Sequence, residues 1–67
     1  MLVKFTGFNP TDRMSSDDVV IETTAITSVV ASHTGDRQDY TTISTGTIGI
    51  YFVKETVSEV MDRISGK

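Results

Sequence analysis

Thr56-Val57-Ser58-Glu59-Val60-Met61-Asp62-Arg63-Ile64 is the stretch that decides the fold. Thr56 and Glu59 have capping-box spacing: the threonine hydroxyl accepts from the amide of residue 59, and the Glu59 carboxylate accepts from the amide of residue 56. Val57, Val60, Met61 and Ile64 follow at i, i+3, i+4 and i+7, one apolar stripe. Glu59 and Arg63 stand at i, i+4 in the favourable order, and Gly66 is placed to stop the helix. The pattern predicts an amphipathic helix over 57–65, capped at 56. A helix under three turns long is marginal alone, so its apolar stripe must lie on something.

What it lies on follows from composition. Thr, Val and Ile supply 25 of the 67 residues, against one Leu and two Ala. β-branched side chains suit a pleated surface, and the best helix formers are nearly missing. Residues 2–6 alternate, with Val3 and Phe5 on one side and Lys4 and Thr6 on the other. Residues 9–18 are polar and turn-rich and read as a loop or arm. Apolar bursts at Val19–Ile21 and Ile26–Ala31 predict strands over 18–23 and 25–33, joined by a tight turn or a bulge. Residues 33–40 form a polar loop. Residues 41–45 and 47–53 read as a hairpin around Thr45-Gly46, with Ile48, Ile50 and Phe52 sharing one face and Gly49 marking a bulge.

The expected architecture is therefore α+β: one small domain over 1–67. A four- or five-stranded antiparallel meander, flat or curled toward a barrel, carries one C-terminal amphipathic helix. The expected core is Val3, Phe5, Val19, Ile21, Ile26, Val29, Ile43, Ile48, Ile50, Phe52, Val57, Val60, Met61 and Ile64. A chain this short buries only about 60% of its unfolded surface, so its core is thin. A thin core and unpaired sheet edges predict a homo-oligomer.

The formal net charge is −3, with six cations scattered singly. General nucleic-acid binding needs a basic face and is not expected; a polybasic membrane patch is likewise missing. No apolar run approaches the ~20 residues of a membrane span. Met1-Leu2-Val3-Lys4-Phe5 lacks the layout of a signal peptide, and the lack of cysteine suits the cytoplasm. With no cysteine there is no disulfide, thiolate nucleophile or iron–sulfur cluster.

Val20-Ile21-Glu22-Thr23-Thr24-Ala25-Ile26-Thr27-Ser28-Val29, Thr42-Ile43-Ser44-Thr45-Gly46 and Tyr51-Phe52-Val53-Lys54-Glu55-Thr56-Val57-Ser58-Glu59-Val60 together resemble the small FlbD/SwrD-type flagellar and swarming-motility proteins of bacteria. The likeness spans residues 19–65, with an insertion at 33–40, and Thr23 stands where that family favours Asn. It implies a strand-rich body with a closing helix, a role in a bacterial motility or regulatory assembly, and no catalytic residues.

Candidate sites are few. His33, Asp36 and Asp39 share a His-x-x-Asp-x-x-Asp spacing that oxygen and imidazole ligation would use, but one loop supplies no fourth ligand and a solvated turn explains it better. Gly46-Thr47-Ile48-Gly49 lacks the lysine and following helix of a P-loop. His33 is the only base available to a Ser or Thr nucleophile, and a core this small leaves little room for a water-excluding pocket, so neither an enzyme nor a cofactor is expected. His33, Asp36, Arg37, Asp39 and Tyr40 instead form a candidate contact surface, since Arg and Tyr are common interface anchors. The leading expectation is a non-catalytic interaction protein that regulates a larger bacterial assembly by docking on it. Alternatives are a phage-encoded inhibitor of a host protein and an oligomeric nucleotide-signal binder, with Arg37, Gly46 and Gly49 lining a pocket between subunits.

Overall fold

The computed structural model describes residues 1–46 and 49–66. Among them run β1 (Leu2–Phe5), β2 (Phe8–Asn9), β3 (Met14–Ser15), β4 (Val19–Glu22), a 3-10 turn (Thr23–Ala25), β5 (Ser28–His33), β6 (Asp39–Ser44), β7 (Ile50–Val53) and α1 (Val57–Ile64). The class is α+β with antiparallel sheets and one C-terminal helix. The strands form three small open sheets: β1 with β4, β2 with β3, and a β5-β6-β7 meander. The expected single sheet is thus divided. An isolated bridge between Gly7 and Val53, continued by the Lys54 amide donating to the Thr6 carbonyl at 2.9 Å, links the first strands to β7.

Helix α1 begins as its sequence dictates. Thr56 is extended, its hydroxyl accepts from the Glu59 amide at 3.1 Å, and the Glu59 carboxylate accepts from the Thr56 amide at 3.1 Å. Both bonds satisfy first-turn amides that have no partner inside the helix. Gly66 follows with φ +80°, the left-handed conformation that glycine adopts without penalty.

The joint between strands and helix is the buried residue Glu55. Its carboxylate accepts from the Thr6 amide through both oxygens, at 3.0 and 3.1 Å, and pairs with the Arg63 guanidinium at 3.2 Å. Its backbone carbonyl accepts from the buried Thr41 hydroxyl at 2.5 Å. Arg63 also donates to the Lys4 carbonyl at 2.8 Å and sits over the Phe5 ring, 5.7 Å from its centroid. Arg63 thus forms its ion pair with Glu55, not with the Glu59 expected one helical turn away. Tertiary geometry won because Glu55 is buried among further donors, whereas an exposed i, i+4 pair is worth only a few tenths of a kcal/mol.

The core is Phe5, Ile21, Ile43, Val53 and Val60, flanked by half-buried Val3, Val19, Ile26, Val29, Tyr51 and Ile64. Four expected core residues lie outside this set, Val57 among them although it is half-buried. Ile50 is 62% exposed, Phe52 37% and Met61 50%. β7 pairs Ile43 with Tyr51 and Thr41 with Val53, so Tyr51 and Val53 turn inward and their neighbours outward. A shift of one residue exchanges the two faces of a strand. On α1, Val60 is fully buried and Met61 lies at the margin of the stripe. Phe8 is buried too, though it was not among the expected core residues. Ile48 falls outside the described residues.

The polar stretch 9–18 is more ordered than a loop. The Asn9 side chain accepts from the Thr11 amide at 2.9 Å, Asp12 accepts from the Met14 amide at 3.0 Å, and the Arg13 amide donates to the Asn9 carbonyl at 2.7 Å. These side chains build the β2–β3 hairpin, a use of Asn and Asp that polarity alone does not reveal. Gly7 is needed beside it, because a Cβ there would run into the Asp17 carbonyl and the Ser16 hydroxyl. The 25–33 strand is shortened to 28–33 by the 3-10 turn. The 33–40 loop contracts to Thr34–Gln38, because His33, Asp39 and Tyr40 are paired in strands. At the next turn the Thr45 amide donates to the Gly49 carbonyl at 2.9 Å, a wider closure than a two-residue turn at Thr45-Gly46; Thr47 and Ile48 within it lie outside the described residues.

Thr56→Ala removes the cap and costs about 1 kcal/mol. Glu55→Ala strands the Thr6 amide. Arg63 is exposed enough to turn to water, so the figure for an unsatisfied buried group governs, about 1–3 kcal/mol. Glu55→Gln retains an acceptor and loses less. Thermal melts followed by circular dichroism resolve these effects, at roughly 4–8 °C for each kcal/mol. Equal losses for Glu55→Ala and Glu55→Gln would remove the amide contact from this account.

Candidate interaction surface

The outward face of the β5-β6-β7 meander follows from the register. Ser28, Ser44 and Ile50 form one cross-strand row and Val30, Thr42 and Phe52 the next, while Ser32 faces Tyr40. Side chains alternate across a strand, so these residues share one face and Ile43, Thr41 and Val53 share the buried one. Val30 is 53% exposed. With Ile50 and Phe52 it makes an apolar stripe bordered by hydroxyls, and none of the eight residues is charged.

Aromatic packing fixes one side of the stripe. The Tyr40 ring stacks on Phe8 with centroids 5.3 Å apart and meets Phe52 edge to face at 5.5 Å. Such pairs hold their rings beyond what area burial gives. The Ser32 and Thr42 hydroxyls are hydrogen-bonded to each other at 2.9 Å.

The five residues expected to form a contact loop are divided. His33 and Asp39 face each other across β5 and β6, and with Arg37 they line an open cleft of about 410 Å³. Tyr40 points to the opposite face, in the aromatic row. Asp36 turns to the other hairpin tip: its carboxylate accepts from the Arg13 Nε at 2.8 Å and from the Thr34 hydroxyl. Arg13 and Arg37 both have positive φ, 60° and 68°, so each hairpin tip places an arginine in the left-handed region. The His-x-x-Asp-x-x-Asp spacing therefore does not converge, and among the described residues no three His, Asp or Glu side chains are grouped to hold a metal.

Arg37 and the pair Gly46 and Gly49 sit at opposite ends of β6, six residues long and roughly 20 Å at about 3.3 Å per residue. One chain does not bring them into a shared pocket. A second groove of about 390 Å³ runs between the His33 end of the meander and the first turn of α1, with Lys54, Thr56 and Ser58 along it. The Lys54 ammonium is held by the Ser15 hydroxyl at 3.1 Å.

Sequence reasoning missed the exposed stripe because it turned Ile50 and Phe52 inward. The available signal was Tyr51 and Val53, which alternate with them and are equally apolar. Among the described residues no helix is long and apolar enough to cross a membrane. The chain matches no family model, no curated protein and no solved structure.

The Thr34 hydroxyl, and after it the Arg13 guanidinium, hold the Asp36 carboxyl below the ordinary aspartate range. A depressed carboxyl pKa stabilises the fold above the unfolded value, and the contribution is lost as pH falls through the folded value. The amides of Arg37 and Gln38 should therefore shift together on acid titration by NMR, with a midpoint below that of a free aspartate. Asp36→Asn should abolish that titration; its persistence would assign it to another carboxylate.

Proposed function

We propose that this protein is a non-catalytic interaction protein that self-associates and regulates a larger assembly by docking on it. One observation carries the reading: the uncharged outer face of the meander, where Val30, Ile50 and Phe52 are exposed together beside a fixed aromatic row. A contiguous apolar patch bordered by polar groups is the usual mark of a protein-contact site. Phe52 and Tyr40 supply the rigid aromatic contacts that dominate such interfaces. The thin core supports the same reading, since association buries surface the single chain leaves exposed.

In this reading the meander, linked to the first strands at Gly7 and Val53, presents its outer face. The FlbD/SwrD resemblance makes a bacterial motility or regulatory machine the first assembly to examine. The mechanism is occlusion: a bound chain covers a hydrophobic surface that the assembly would otherwise use.

Affinity capture from a bacterial lysate, with the wild-type chain and Ile50→Lys side by side, tests this. Ile50 is exposed, so the substitution should leave the melting temperature within a few degrees of wild type. A specific partner retained by the wild type should be lost from the variant. Equal recovery by both chains would remove the outer face from the mechanism.

A further inference from the structure

The sheet edges differ in a way that singles out a second copy of this chain as a partner. β5 is hydrogen-bonded to β6 on one side only. Among the described residues no backbone group pairs with its other side. Helix α1 packs near β5 without a backbone bond to it. Ser28, Val30, Ala31 and His33 are exposed. An open edge is a template for another strand, and proteins that avoid pairing there place charges, prolines or bulges along it. Ser28-Val29-Val30-Ala31-Ser32-His33 contains no Asp, Glu, Lys, Arg, Pro or Gly.

The edge strand β4 is different. It is paired to β1 alone, it is preceded by Asp17 and Asp18, and it ends on Glu22. Glu22 there pairs with the N-terminal ammonium at 2.6 Å and Asp18 with Lys4 at 3.6 Å, so this edge is flanked by charged side chains, the guard that β5 lacks. β5 carries no carboxylate, so two acidic chains can meet there without opposing negative charges. A second copy also offers a strand of equal length and the same chemistry.

We infer that the chain forms a two-fold dimer through antiparallel pairing of β5 with β5 of a second copy, joining the two meanders into one six-stranded sheet. A two-fold axis between identical edge strands makes the contact isologous, so it closes at two chains. A two-fold axis at Val30 sets Val30 against Val30 of the other chain and Ser28 against its Ser32, so opposed side chains share a face. The outer faces become continuous, and the two Val30–Phe52 rows lie on one side of the joined sheet. The inference rests on the self-association in the preceding reading but uses the edge, whereas partner docking uses the face.

Size-exclusion chromatography with light scattering decides it, using the whole chain and two exposed-site variants checked by circular dichroism. Wild type should give twice the 7.3 kDa chain mass. Ala31→Lys charges the edge on the side away from the apolar stripe and should give the single-chain mass, as should Ser28→Lys if Ala31→Lys does not fold. Ile50→Lys alters the face and should remain a dimer. Amide exchange at residues 28–33 should slow as wild-type concentration rises. A single-chain wild type, any larger assembly, or a dimer that survives both edge substitutions would overturn the inference. Loss of the dimer in Ile50→Lys would move self-association to the apolar face. Loss of partner capture with the dimer intact bears on the docking reading alone.

Discussion

The Glu55 carboxylate is the constraint on which the rest of the structure depends. It lies between the last strand and the only helix among the described residues, and its three polar contacts reach the turn after β1, the far end of α1 and, through its own carbonyl, the centre of β6. Without it, α1 would rely on a stripe in which only Val60 is fully buried. With it, both ends of the helix are held: the capping box at Thr56 and Glu59, and Arg63 clamped to Glu55 and the Lys4 carbonyl. A buried carboxylate normally costs more in desolvation than it returns. Here both oxygens are occupied by a backbone amide, one also by a guanidinium, and no buried side-chain polar atom among the described residues lacks a partner.

That clamp sets what the sheet can present. α1 covers the inner side, with Val60 against Phe5, Ile21, Ile43 and Val53. On the outer side Val30, Ile50 and Phe52 stay exposed beside Tyr40, which stacks on the buried Phe8. The Phe8–Tyr40–Phe52 contacts stiffen this face at one side, and the Arg13–Asp36 pair ties the two hairpin tips together. The chain's clefts are open, and in one of them the Lys54 ammonium is held by the Ser15 hydroxyl.

The locally determined features were legible. The capping box at Thr56 and Glu59, the stripe of Val57, Val60 and Ile64, the positive φ of Gly46 and Gly66, and the inward pair Val3 and Phe5 depend on neighbours within four residues or on the two-residue period of a strand. The hairpin at 9–15 was hidden because Asn9 and Asp12 were read as solvent-seeking, whereas they cap their own turn. The candidate loop was legible as a loop tip but not as a site. Strand pairing extends to His33 and Asp39 and sends Asp36, Asp39 and Tyr40 in three directions.

By itself the sequence determined an α+β chain with a capped C-terminal helix, short antiparallel strands, and no thiol chemistry. These follow from side-chain period, β-branching and composition, which act over a few residues. Tertiary structure alone decided which face of β7 is buried, where Arg63 finds its carboxylate, and which sheet edge stays open. In Ile50-Tyr51-Phe52-Val53 every residue is apolar, so alternation carries no sign, and only pairing against Ile43 and Thr41 chooses the inner face. Glu55 and Thr6 are 49 residues apart, and contacts at that separation exist only once the chain has closed on itself.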